Sequence, residues 1–166
     1  MAVMAELNEV PDQKLIQLLS YIEKDSLHEP FFSEIVHLAI NMSRTTSVVI
    51  CFFGTPELSV VAAAGNILSE ERAQLWQSLV RNENYIEIED TLKHALYKFN
   101  PQVLDQPVMR FLAGMPVING EGAVIGVIGL TDTKPRKFSG EQIQSLGILS
   151  RLITIHLETK KKLLVL

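Results

Sequence analysis

Four histidines and one cysteine carry most of the nucleophilic and metal-binding potential of this chain. His28, His37, His94 and His156 show no HxH or HxxxH spacing, so no pair sits one helical turn apart to share a metal ion. A single cysteine, Cys51, cannot form an internal disulfide or a Cys-only metal cage, and its setting within Val48-Val49-Ile50-Cys51-Phe52-Phe53 is that of a core strand. No Ser-His-Asp or Cys-His arrangement is legible, although such sets assemble in space. No P-loop or dinucleotide-binding glycine pattern occurs; Gly120, Gly122, Gly126 and Gly129 belong to a hairpin and its second strand. His94 reads either as a loop histidine or as a lone axial ligand, which needs no motif.

Aromatic residues offer a second kind of chemistry. Phe53, Trp76, Tyr85, His94, Tyr97, Phe99, Phe111 and Met115 could line an apolar small-molecule pocket with a few polar tips. The same side chains could equally fill a core. Arg110 and Asp132, at strand ends, could hold a polar ligand group or form an ion pair. The run Lys160-Lys161-Lys162 reads as a solvated helical turn, too short for a membrane or DNA surface.

The elements that would position these residues follow from hydrophobic period. Residues 1–11 have weak periodicity and read as a flexible lead-in. From Asp12, Leu15, Leu18, Leu19 and Ile22 recur at helical spacing, and Phe32, Ile35, Val36, Ala39 and Ile40 do so again after Pro30. Residues 47–53 and 58–65 are strand-like and read as a hairpin. Residues 69–80 return to helical spacing through Ala73, Trp76, Leu79 and Val80, and residues 85–89 alternate as a short strand. Residues 91–107 are expected to be a partly irregular connection, broken at Asn100-Pro101 and Gln106-Pro107. Strands are expected at 110–118 and 123–131, joined by Asn119-Gly120-Glu121-Gly122, with Asn-Gly supplying positive φ. Ser139 and Gln142 have capping-box spacing at the start of a last helix.

That helix has two apolar arcs. Ile143, Leu146, Leu149, Ile153 and Leu157 form one; Ile148, Leu152, Ile155, Leu163 and Leu166 form another. One arc suffices to dock on a sheet. The second calls for the N-terminal helix, a twin subunit or both, unless the helix is deeply buried. We therefore expect an α+β layered fold, with one antiparallel sheet, terminal helices on one face and the middle elements on the other.

The 166 residues fit one domain, and 47% hydrophobic against 20% charged residues allow a sizeable core. Fifteen Lys and Arg against 19 Asp and Glu give a formal charge of −4, which argues against nucleic-acid binding as the main task. No apolar run approaches the roughly 20 residues of a membrane span, and the start is not that of a secretory signal, so the plain reading is cytoplasmic. The apolar ending after Lys162 suggests a domain cut from a longer protein, with residues 159–166 beginning a helical linker.

Several segments resemble GAF domains. The run Arg110-Phe-Leu-Ala-Gly-Met-Pro-Val-Ile118 is similar to the family's fourth-strand signature. Gly122-Ala-Val-Ile-Gly-Val-Ile-Gly-Leu-Thr-Asp132 is similar to its fifth strand, and residues 133–146 to the turn into its last helix. Ile88-Glu89-Asp90 with the irregular stretch after it fits the third strand and pocket loop. The resemblance covers about residues 14–158 and is strongest over 109–158.

It implies a PAS-like sheet of five or six antiparallel strands in a domain spanning residues 12–158, with a pocket under the mobile middle segment. PAS or roadblock-like modules are the alternative folds. It also implies a non-catalytic, sensory or regulatory module of signal transduction, homodimeric through its terminal helices, with Ile148, Leu152, Ile155 and Leu163 at the dimer interface. Such a module would bind a small molecule and control an attached output domain: a histidine kinase, a diguanylate cyclase or a transcription regulator. Alternatives are a ligand-free dimerisation module or a small GAF-fold enzyme. Family chemistries narrow further. Covalent bilin needs a cysteine in the pocket segment, which holds only His94, so none is expected and the cofactor stays unknown. The cyclic-nucleotide signature cannot be assembled. Free methionine sulfoxide reduction needs several cysteines.

Overall fold

A computed structural model describes residues 30–53, 58–65, 75–76, 78–80 and 84–164. The expected lead-in and first helix, residues 1–22, lie outside the described residues.

Helix α1 (Phe31–Ser43) buries Phe32, Ile35, Val36 and Ala39, the i, i+3, i+4, i+7 stripe visible in its sequence. It stops where Arg44 turns left-handed, φ 56°, and donates its N–H to the Ile40 carbonyl at 2.8 Å. Strands β1 (Ser47–Phe53) and β2 (Leu58–Gly65) follow as an antiparallel pair, with a register shift between Ile50 and Cys51. Of the expected helix over 69–80, Leu75, Trp76, Ser78 and Leu79 are described and are helical.

Strand β3 (Ile86–Ile88) is short, and a 3₁₀ turn (Thr91–Lys93) follows. Asn100-Pro101 ends the turns before it, as expected, and also starts the one-turn helix α2 (Pro101–Leu104). Proline fits the first helical position because its missing N–H would be unpaired there anyway, and Asn100 caps the turn by accepting from Gln102 N at 2.8 Å. Strands β4 (Phe111–Ile118) and β5 (Val124–Asp132) complete an antiparallel sheet of order β2-β1-β5-β4-β3. In the turn between them the positive φ falls on Gly122, not on Asn119-Gly120. Asn119 acts through its side chain, accepting from Glu121 N and Ala123 N.

Helix α3 (Gly140–Leu164) is continuous. Its capping box forms as spaced: Gln142 N donates to Ser139 Oγ at 3.1 Å and Ser139 N to Gln142 Oε1 at 2.9 Å.

The pleat divides the core into two. Val48, Ile50, Phe52, Phe111, Ala113, Val117, Ile128 and Leu130 face α1 and α3, where Leu146, Leu149, Ile153 and Leu157 close the layer. Val49, Cys51, Leu112 and Val127 face the other way, toward Leu75, Trp76, Leu79, Val80, Val103 and Met109. The expected layering of terminal helices on one face and middle elements on the other is therefore observed for the described elements.

Candidate functional site

Three places could carry function: the interior under the middle segment, a groove beside β3, and the outer face of α3.

The interior is occupied by Trp76, which is 1% exposed. Gly114 and Gly129 are direct cross-strand partners in β4 and β5, and together they make a floor without side chains. A Cβ on Gly129 would lie 2.5 Å from Trp76 Cε2, so glycine is what lets the indole lie this close to the sheet. Cys51 is on this face, and burial pushes its thiol pKa up to about 12, which makes it a poor nucleophile.

The eight residues expected to line one pocket do not converge. Trp76, Phe53 and Tyr97 pack on the middle-segment face. Phe111, Met115 and Tyr85 belong to the helix face, because residues 111, 113 and 115 of β4 all point there. Phe99 is 78% exposed, with Lys98 Nζ 5.1 Å from its ring centroid. His94 lies at the surface groove described next. Strand alternation, applied to β4, is the signal that separates Phe111 and Met115 from Leu112 and Gly114.

The groove beside β3 has a volume of about 600 Å³, between the 3₁₀ turn on one side and residues 135–137 on the other. Ile88 and Glu89 form part of its wall, and Lys93, His94 and Lys137 reach it from the two flanks. His94 Nδ1 accepts from Leu96 N at 3.1 Å, leaving Nε2 as the proton-bearing nitrogen of the neutral ring. Arg110 N donates to the Asp132 carbonyl at 2.9 Å, but their side chains take other partners. Arg110 grips Asp90 with both prongs, Nε to Oδ1 at 3.0 Å and Nη2 to Oδ2 at 2.8 Å, and so holds the Asp90 carboxyl below its ordinary pKa. Asp132 Oδ2 meets Arg136 Nε at 2.6 Å.

On α3, the inner arc of Leu146, Leu149, Ile153 and Leu157 is buried. The other arc is not: Ile148, Leu152, Ile155 and Leu163 are 42, 41, 61 and 62% exposed. Beside it a groove of about 330 Å³ runs between α3 and β4, lined by Met115, Pro116, Ile118, Gly147, Thr154 and Ile155 among others. Here β4 extends past β3, which pairs only with residues 112–114. Pro116 removes one outward donor, while Ser150 and Thr154 hydroxyls donate to the carbonyls of Pro116 and Ile118, each at 2.6 Å. The sequence reading did not single out Ser150 or Thr154; hydroxyls one turn apart beside an apolar arc were the available signal.

The remaining histidines do not gather. His156 stacks on Phe31 with centroids 3.9 Å apart, and His37 Nδ1 lies 2.7 Å from the Ser33 carbonyl of its own helix. His28 lies outside the described residues. Among the described residues, no group of three or more His, Cys, Asp or Glu is placed to hold a metal ion. None of the described helices is long and apolar enough to cross a membrane.

Comparison with known proteins gives a consistent result. The family model described as GAF domain matches residues 28–157. A domain from a two-component sensor histidine kinase protein of Sinorhizobium meliloti 1021 superposes with a TM-score of 0.67 at 16% identity, covering 83% of this chain and 96% of that one. The GAF domain of a sensor histidine kinase from Pseudomonas syringae pv. tomato gives 0.57 at 17% identity, covering 92% of each. The GAF domain of an Acinetobacter phosphoenolpyruvate-protein phosphotransferase gives 0.61 at 14%, covering 90% of this chain and 95% of that one. At such identities the likeness concerns the fold. No curated protein sequence matches the chain.

Proposed function

The chain belongs to the GAF domain family, and from that premise we propose that it is a non-catalytic regulatory domain of a signal-transduction protein. In this reading it pairs with a second copy through the outer face of α3 and passes signal along that helix to an attached output domain. The supporting observation is the exposed stripe of Ile148, Leu152, Ile155 and Leu163. It runs about 22 Å along α3 at 1.5 Å per residue. Leaving four large aliphatic side chains in water is unfavourable by roughly 25 cal/mol per Å² of apolar surface. A two-fold pairing covers the stripe with its own image, the self-complementary arrangement of most homodimers.

The output domain fits the histidine-kinase class by analogy with the two sensor kinase domains, whose identity to this chain is 16 and 17%. Trp76 on its glycine floor favours regulation without a ligand in the deep interior, so a small-molecule effector is assigned to the surface rather than to the core.

The test is the oligomeric state of the full chain by light scattering and native mass spectrometry, beside Leu152→Glu. A wild-type dimer that Leu152→Glu converts to a folded monomer, with a single cooperative melt whose midpoint no longer depends on concentration, supports the reading. A wild type that stays monomeric at the highest concentration reached, or a variant that still dimerises, rejects it.

A further inference from the structure

Between β5 and α3 lies a segment without regular structure, residues 133–139, and it is fastened at several points. Arg136 N donates to the Glu89 carbonyl at 3.1 Å, and Phe138 N donates to Glu87 Oε1 at 3.3 Å. Both acceptors sit on or just after β3, where the middle segment begins. Glu87 is itself held, since its Oε1 accepts the Tyr85 hydroxyl at 2.7 Å. The Phe138 ring is buried against Phe111, centroids 4.9 Å apart.

The Arg136 side chain ties the same segment to α1. Its Nη1 and Nη2 donate to the carbonyls of Ser43 and Arg44 at 2.6 and 2.7 Å, satisfying the end of that helix, while Nε meets the buried Asp132 carboxylate. At its far end Ser139 and Gln142 cap α3, and Gln142 Nε2 reaches the Met42 carbonyl at 3.5 Å. One short segment thus touches the root of the middle segment, the end of α1, the end of β5 and the start of α3.

We infer that residues 133–139 form a strap coupling the start of the middle segment to the first turn of α3, with Glu87 and Arg136 as its fastenings. An effector seated in the groove beside β3 lies directly against this strap, because Pro135, Arg136 and Lys137 are one of its walls. Displacement at Glu87 and Glu89, where the chain enters the 3₁₀ turn, is carried to α3 through the strap, which the Arg136 fork seats against α1, rather than across β4 and β5. The regulatory meaning rests on the reading of α3 as the output helix; the coupling itself does not depend on oligomeric state.

Amide hydrogen exchange on the full chain tests this in both directions, because an energetic coupling is reciprocal. Glu87→Ala removes the acceptor for Phe138 N. It is expected to speed exchange at residues 143–146 of α3 by up to about tenfold, the scale of one lost hydrogen bond to a charged group. Ser139→Ala, which removes the α3 cap, is expected to speed exchange at Lys93 and His94, whose amides close the 3₁₀ turn onto Asp90 and Thr91. Asn100→Ala is the control, removing the cap that Asn100 Oδ1 gives to Gln102 N at the start of α2. If Glu87→Ala moves only its own neighbours, or if Asn100→Ala loosens α3 equally, the strap is not the link. Arg136→Lys, which keeps the charge beside Asp132 but loses the fork, gives a second reading should Glu87→Ala fail to fold, and it should speed the same two sets of amides. Its failure to do so overturns the coupling.

Discussion

A methyl group placed on Gly129 would fall 2.5 Å from Trp76 Cε2 and 2.9 Å from two further indole atoms, a distance that requires the ring to move. The ring is buried, so moving it gives up packing on this face. Gly129→Ala is therefore expected to cost about 1–3 kcal/mol, the usual scale of overpacking. Trp76 is the chain's one tryptophan, so its emission should shift to the red in the same variant as the indole is lifted toward solvent. Urea titration followed by fluorescence checks both, and a variant as stable as wild type with unchanged emission contradicts the account. Gly114→Ala is the milder companion, because its nearest contact, at 2.9 Å, is a methyl of Val80. The glycines of β5 were legible as belonging to a hairpin and its second strand, yet the sequence did not name Trp76 as what lies against Gly129. It also grouped Trp76 with Phe111 as one pocket wall. Which face of a strand a residue takes follows from period two, but which distant side chain meets it depends on how the loops close.

At the scale of elements, α3 does more than cover the sheet. It finishes the edge that short β3 leaves open, with two hydroxyls on two outward carbonyls and a proline where a third group would need a partner. The Pro116 carbonyl is buried, so Ser150→Ala strands it. The loss is expected to be about 1–2 kcal/mol, the penalty of an unsatisfied buried acceptor less the better helix propensity of alanine. Thr154→Val, at a partly exposed site, should cost less than Ser150→Ala. Thermal melts of the two variants decide this; equal effects, or a stabilised Ser150→Ala, refute the edge-capping role.

Local chemistry was readable wherever it is confined to a few neighbours. The bounds of β1 and β2, the capping box of α3 and the turn before β5 all came from short-range patterns. Asn100-Pro101 was read only in part: the pair ends the turns before it, as expected, and also opens α2, which the Gln102 N–H turned toward Asn100 Oδ1 reveals. The edge-capping hydroxyls offered only their spacing, one turn apart beside an apolar arc, and their partners lie 34 and 36 residues away.

On the scale of the whole molecule, the sheet is a single wall shared by two cores. β1 alone supplies Val48, Ile50 and Phe52 to one side and Val49 and Cys51 to the other, and β4 and β5 alternate in the same way. Neither core can lose its strands without exposing the other, so the described fold should melt as one unit. Two probes report the two sides separately. Trp76 fluorescence follows the core under the middle segment, whereas far-ultraviolet circular dichroism reports helix, of which α1 and α3, on the other face, are the longest described elements. Urea curves from the two should share one midpoint and one slope. Should the fluorescence transition precede the loss of helix, the middle-segment side is a separate cooperative unit, and the shared-wall argument fails. The exposed arc of α3 enters neither core, so Leu152→Glu, by removing the stabilisation that pairing gives, should move both curves together and keep them coincident. The strap lies across the boundary: Arg136 joins the root of the middle segment to the end of α1, and Phe138 is buried on the helix face. Loosening it should change local exchange before it changes the common midpoint, because a domain that carries a signal between its faces must yield locally while it still unfolds as a whole.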